Sequence, residues 1–225
     1  YAIVITSGED EVNNDFGNFQ QGTKSGTKVE DMDADGNIGE DSANGLAGWV
    51  INAYADDGDG ILSLAEFTAG AAGTDTTDVN GDYTITGLDP GAYVVCEVAQ
   101  TDWFQSYPTG TDECTGSATL GADGYAIVIT SGEDEVNNDF GNWTPATKSG
   151  FKFYDNDRDG NYEPASPQLD TKLSNWAIEL WWLNGSTWQW LATDLTDGTG
   201  YSFTGLTPGV TYAVCEVNQA NYFQS

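Results

Sequence analysis

Histidine is absent from this chain of 225 residues, and six lysines and arginines stand against 36 aspartates and glutamates, for a formal charge of −30. Without histidine the usual acid–base switch near neutral pH and the commonest transition-metal ligand are both excluded. No nucleophile–base–orienter set of the hydrolase kind can be assembled, so the expected role is non-enzymatic. The scarcity of cations excludes a phosphate-binding face, and the surplus of anions would repel nucleic acid. No apolar run is long enough to span a bilayer. Cysteine is limited to three and methionine to one. What remains is a glycine-rich, aromatic-rich chain with 39% hydrophobic residues, enough to bury cores over one large or two ordinary domains.

The phrase "YAIVITSGEDEVNNDFGN" occupies residues 1–18 and returns unchanged at 125–142. The register of 124 residues continues beyond it: "KSGTKVEDMDADGN" (24–37) matches "KSGFKFYDNDRDGN" (148–161). With small offsets, "GDYTITGLDPGAYVVCEV" matches "TGYSFTGLTPGVTYAVCEV", and "DWFQS" matches "NYFQS". This is an internal repeat. Three parts are expected: residues 1–18, a final strand completing a preceding or neighbouring domain; a first module over 19–143; and a second over 144–225 lacking a final strand of its own.

Both modules read as all-β. "YAIVIT", "GWVINAY", "NWAIELWWL", "DYTITGL" and "AYVVCEV" are short β-branched and aromatic runs bounded by Gly, Pro, Asn and Asp. "WWLNGSTWQW" is a hairpin with Asn184-Gly185 at its turn. Two tandem antiparallel sandwiches are expected. Their core positions are Val29, Trp49, Ile51, Tyr83, Ile85, Leu88, Tyr93 and Val95, then Phe153, Trp176, Ile178, Tyr201, Phe203, Leu206, Tyr212 and Val214.

In order, "SGTKVEDMDADGN", "GLAGWVINAY", "GDYTITGLDPGAYVVCEV" and "DFGN" resemble the B-type domains of serine–aspartate-repeat surface proteins. These sit within the wider collagen-adhesin B-type, prealbumin-like group. The resemblance implies β-sandwiches strung in tandem on cell surfaces as stalks or adhesins, with bound calcium and without catalysis. Some members of that group also join a first-strand lysine to a last-strand asparagine or aspartate, with a buried glutamate assisting. Here the candidates are Lys28, Glu97 and Asn137 or Asn138, with Lys152 and Glu216 in the second module. A salt bridge or solvated lysine is the plainer reading.

Calcium needs oxygen ligands spaced so that a loop can wrap the ion. Asp31, Asp33 and Asp35, with Gly36 at the sharp turn, Asn37, and Glu40 or Asp41 to close, have that spacing. Asp155, Asp157 and Asp159 repeat it before Gly160, Asn161 and Glu163. A third loop over 55–67 offers Asp57, Asp59, Ser63 and Glu66, with Asp56 substituting for the unsuitable Ala55. An acidic turn without metal is the alternative, and the recurrence in both modules weighs against it for the first two loops. The third loop stands evenly between weak calcium binding and a decorated hairpin.

Cys96 and Cys114 lie on segments that should be neighbours, and a bridge between them would close a loop of about nineteen residues. Cys215 occupies the place of Cys96 in the second module; its partner is expected in a segment after "FQS". Trp188 and Trp190 share a strand face that could meet sugar rings or a neighbouring subunit. The expected role is a structural subunit or segment of an extracellular, calcium-stabilised fibre, stalk or adhesin at the cell surface. Its partners would be copies of itself, head to tail, or further repeats of the same polypeptide. The alternatives are a module binding surface glycans through the Trp hairpin, or an accessory domain of a secreted enzyme.

Overall fold

The computed structural model describes residues 1–165, 167 and 169–225. In chain order its elements are β1 (Gly22–Glu30), β2 (Val50–Ala55), α1 (Leu64–Ala69), β3 (Gly73–Thr76), β4 (Asp82–Leu88), β5 (Gly91–Glu97), β6 (Phe104–Tyr107), β7 (Tyr125–Ile129) and β8 (Asp134–Glu135). There follow β9 (Phe140–Trp143), β10 (Ala146–Gly150), β11 (Phe153–Tyr154), β12 (Thr171–Lys172), β13 (Ala177–Asn184), β14 (Thr187–Leu195), β15 (Tyr201–Leu206) and β16 (Tyr212–Glu216). The fold is all-β. By compactness the chain divides into one unit of residues 1–28, 45–98 and 110–139, and another of 29–44, 99–109 and 140–225.

In the first unit one sheet runs β3-β2-β5-β7, antiparallel throughout. Against it, β1 pairs antiparallel with β4 and, at Thr23 and Lys24, parallel with β8. Strand alternation sends one face of each sheet inward. Ile51, Ala53, Tyr93, Val95, Ile127 and Ile129 come from one sheet, and Tyr83, Ile85 and Leu88 from the other; all are buried. Gly73 permits close approach here, because a Cβ on it would stand 2.5 Å from Ile85 Cγ2. Buried Thr77 fixes the entry to β2: its hydroxyl accepts from Trp49 N–H (2.9 Å) and donates to the Leu46 carbonyl (2.6 Å).

A second cluster covers the outer face of this sheet. Tyr54, Val94 and Cys96 pack with Leu62, Cys114 and Leu120, and Phe67 of α1 leans on them. The helix begins at a capping box: the Ser63 hydroxyl accepts from Glu66 N–H, and the Glu66 carboxylate accepts from Ser63 N–H. That reciprocal pair satisfies two of the N–H groups a helix start leaves open. The Cys96–Cys114 bridge staples the cluster, with Cα atoms 5.8 Å apart.

The second unit contains the sheet β14-β13-β16, the pairs β10-β15 and β11-β12, and the β6-β9 pair. Its core joins Trp176, Ile178 and Leu180 to Phe203 and Leu206. The hairpin turns where expected, with Asn184 opposite Thr187 and Gly185 at φ 63°. Thr196 repeats the role of Thr77, accepting from Trp176 N–H (3.0 Å) and donating to the Leu173 carbonyl (2.7 Å). Of the expected core, Phe153, Tyr201, Tyr212 and Val214 are only half-buried, whereas all eight counterparts in the first module are buried.

The bridge joins cysteines at a sequence separation of 18 and is worth about 3 kcal/mol in the chain-entropy account. Replacing both Cys96 and Cys114 by Ala is expected to lower denaturant stability by about that amount. The check is a urea melt of the oxidised chain against the variant, and equal midpoints would contradict it.

Candidate functional site

Three groups of carboxylates gather on loops. Asp31 follows directly on β1, and its N–H donates to the Asn142 carbonyl of β9 (2.9 Å). Its Oδ2 accepts from Gly36 N–H (2.9 Å), which bends 31–36 into a tight loop. Gly36 has φ 80° and Ala34 φ 58°; the first is easy for glycine and the second is strained for an ordinary residue. The second module reproduces the loop. Asp155 Oδ2 accepts from Gly160 N–H (2.9 Å), with Gly160 at φ 82° and Arg158 at φ 67°.

Asp31, Asp33 and Asp41 bring carboxylate oxygens within 4.8 Å of one another, as do Asp33, Asp35 and Glu40, and likewise Asp155, Asp157 and Asp159. Asp31 is buried and its Oδ1 has no hydrogen-bond partner. An orphaned buried carboxylate oxygen among further carboxylates fits a hard cation such as calcium, which takes six to eight oxygen ligands. Asn37 and Asn161 stand beside the loops, each donating its N–H to the aspartate two residues before it.

The electrostatics agree. Burial, then the charges of Asp35 and Asp31, push the Asp33 carboxyl up. Glu40 is pushed up chiefly by the charge of Asp35. Asp157 rises through burial and then Asp159, and Glu163 through burial and then Asp159 and Asp157. Burial alone would raise Asp31, but the nearby Ser106 hydroxyl and the N–H groups of Gly36, Ala34 and Asp35 outweigh it and hold its carboxyl low. A cation would relieve the crowding.

Two further acids brace the loops: Asp41, which the spacing offered as a closing ligand, and Asp170, which it did not. Asp41 accepts from Met32 N–H (3.3 Å). Buried Asp170 accepts from the N–H groups of Asn156 and Glu163, each 2.9 Å. Glu163 keeps a buried Oε2 without a hydrogen bond. In the third loop, Asp56, Asp57 and Glu66 converge. Asp56 Oδ2 accepts from Gly58 and Gly60, and its Oδ1 is another orphan. Asp59 instead closes its own turn to Ile61 N–H, and Ser63 caps the helix.

The lysines are placed with equal regularity. Lys28 Nζ lies 2.8 Å from Glu97 and 4.3 Å from the Trp49 ring centroid. Lys152 Nζ lies 2.6 Å from Glu216 and 5.0 Å from that of Trp176. The first pair is sealed, with side chains 0% and 1% exposed; the second is 20% and 15% exposed. Burial pulls the Lys28 ammonium down to about 8, against the opposing charge of Glu97. Asn137 is exposed in a left-handed conformation, and the Asn138 carbonyl accepts from Tyr83 Oη (2.6 Å).

The same difference runs along the strands. In the first module β5 lies between β2 and β7; its counterpart β16 pairs with β13 alone among the described residues, leaving its other edge open. β10 likewise pairs only with β15. Buried Lys24 offers its ammonium to the Glu135 carbonyl (3.4 Å), while its counterpart Lys148 is exposed. Cys215 is a free, exposed thiol. Residues 1–18 contain no strand and stand exposed almost throughout. Trp188 and Trp190 are exposed on β14.

No protein-family profile matches the chain, and no curated protein does. Among solved structures it is similar to the Bacillus anthracis TIE protein, at 18% identity and a TM-score of 0.40, over 87% of this chain and 29% of that one. It is similar to a streptococcal ancillary pilin at 15% and 0.38, over 92% and 56%. A shaft pilin, SpaA, from Lactobacillus rhamnosus GG gives 13% and 0.39, over 90% and 89%. The chain thus spans less than two thirds of the first two.

Calcium is expected to raise the melting temperature. Extracellular modules bind calcium at about 10⁻⁴–10⁻³ M, and a site at a hundred times its dissociation constant adds about 2.7 kcal/mol. Scanning calorimetry from chelator to 10 mM calcium reads this. Asp31→Asn should remove part of the rise, and an unchanged melting curve of the parent chain would contradict this expectation.

Proposed function

We propose that the chain is a structural, non-enzymatic subunit or segment of an extracellular fibre, stalk or adhesin at the cell surface, built from tandem β-sandwich modules. The modules would be stiffened by calcium on the Asp31, Asp155 and Asp56 loops, and joined by strand complementation. The partners would be copies of the chain head to tail, or further repeats of the same polypeptide.

One observation carries this reading. Among the described residues β16 and β10 are edge strands, whereas β5 and β1, to which they correspond, are flanked on both sides. Open edges with half-buried apolar faces are places where another strand adds, because unpaired N–H and C=O groups await a partner. A head-to-tail contact of that kind does not close on itself and propagates as a filament. The acidic surface suits this role, since net charge far from zero limits sideways association.

A second reading, a glycan-binding module, is favoured by the exposed Trp188 and Trp190 on β14; a glycan-binding screen with Trp188→Ala and Trp190→Ala controls separates it. The main reading is tested by electron microscopy of native material. Filaments with a repeat along their length are expected, and isolated particles at all concentrations would contradict it.

A further inference from the structure

Residues 1–18 and 125–142 are identical, yet the structure treats them oppositely. Ile127, Ile129 and Phe140 are 9%, 1% and 0% exposed; Ile3, Ile5 and Phe16, the same residues of the other copy, are 51%, 55% and 80% exposed. The internal geometry is nonetheless shared. In both, a glutamate folds back on a threonine three residues earlier: Glu9 Oε2 accepts from Thr6 N–H and Oγ1, and Glu133 Oε2 from Thr130 N–H and Oγ1. Gly8 and Gly132 have φ 81° and 74°, and Asn13 and Asn137 have φ 70° and 67°. Tyr1 donates to the Asp15 carbonyl, as Tyr125 does to that of Asp139. The first eighteen residues therefore hold the shape of a docked segment without a surface beneath them.

That surface recurs in the second module. Residues 125–129 pair with β5 in the register Tyr125↔Val95, Ala126↔Val94, Ile127↔Tyr93, Val128↔Ala92 and Ile129↔Gly91. The β13–β16 register, with Ile178 opposite Glu216, repeats that of β2–β5, with Ile51 opposite Glu97. Val214 therefore stands where Val95 does. Farther along, residues 134–135 lie beside Thr23 and Lys24, and Asp139 accepts from Thr27 N–H (2.7 Å).

We propose that residues 1–18 of one copy of this chain dock on the second module of another. Tyr1–Ile5 add to β16 in the register Tyr1↔Val214, Ala2↔Ala213, Ile3↔Tyr212, and Phe16–Phe19 lie along β10. This deepens the strand-complementation reading above and rests on it. Ile3, Ile5 and Phe16 enter the core that Tyr201, Tyr212 and Val214 leave half-closed, and the Lys152–Glu216 pair is sealed as Lys28–Glu97 is. Charge is complementary. Glu135 and Asp139 bear on Lys24, so Glu11 and Asp15 of the donor would face Lys148. Four of the six cations, Lys148, Lys152, Arg158 and Lys172, belong to the acceptor module.

The test uses the full chain with Cys215→Ser, carrying Ala2→Cys and Ala213→Cys. Cα atoms of directly opposed antiparallel residues lie about 4.5–5.5 Å apart, within reach of a disulfide. Mild oxidation should give a ladder of covalent multimers on non-reducing gels, and the off-register pair Ala2→Cys with Thr211→Cys should not. Ile3→Asp with Ile5→Asp should abolish multimers and leave the thermal melt of the isolated chain unchanged. Intramolecular closure only, equal ladders from both cysteine pairs, or multimers persisting in the Asp variant would overturn the inference. Filaments in native material alongside a failed Ala2–Ala213 cross-link would overturn this inference alone; isolated particles there would overturn the reading beneath it.

Discussion

A β-sandwich is closed only when a strand lies against its last open edge. An edge leaves a row of N–H and C=O groups without partners and leaves inward side chains in water. In the first module residues 125–143 meet that demand. Ile127, Ile129 and Phe140 are buried there, and three such side chains contribute about 4–9 kcal/mol on transfer arithmetic. The sealed Lys28–Glu97 pair depends on the same closure. A buried ion pair is tolerable only when water is excluded and geometry is tight, and breaking one costs about 3–5 kcal/mol. The second module has the same pair, the same Thr–Trp anchor and the same strand register, with its edge strands open. Under the proposed strand complementation, the half-burial of its core and the exposure of residues 1–18 would be two sides of one unmet constraint.

Charge sets the second constraint. A chain at −30 repels itself when compact, and the greatest crowding lies on the Asp31 and Asp155 loops. Both are pinned by an aspartate accepting from a glycine N–H five residues on. Calcium on these loops and strand addition at the open edge would act on different parts of a module, one at a loop beside β1 or β11 and the other along β16 and β10. Stiffness and continuity would then vary independently.

Much of this was legible in the sequence. Alternating β-branched and aromatic residues located the strands, and Asn184-Gly185 located the hairpin, because each is a local signal. The eight core positions of the first module are all buried for the same reason. Tyr201, Tyr212 and Val214 are less buried than their pattern predicts, since a strand's own alternation says nothing of whether a neighbour covers it. Asp170 went unseen because it braces its loop from fifteen residues beyond Asp155, across a segment whose length differs between modules. Asp56 rather than Asp59 joins the third cluster, because Gly58 and Gly60 wrap around Asp56. Asn137 itself takes a left-handed conformation, which spacing cannot reveal. The opposite fates of two identical segments were invisible to any local rule.

Amide hydrogen exchange on the native assembly, resolved to the peptide holding residues 1–6, tests the central claim most directly. Strand-bonded amides exchange only through opening of the structure that holds them. The account predicts that Ala2–Ile5 are protected to the same degree as Ala126–Ile129. Exchange of Ala2–Ile5 at the rate of an unstructured peptide, with Ala126–Ile129 protected in the same sample, would contradict it.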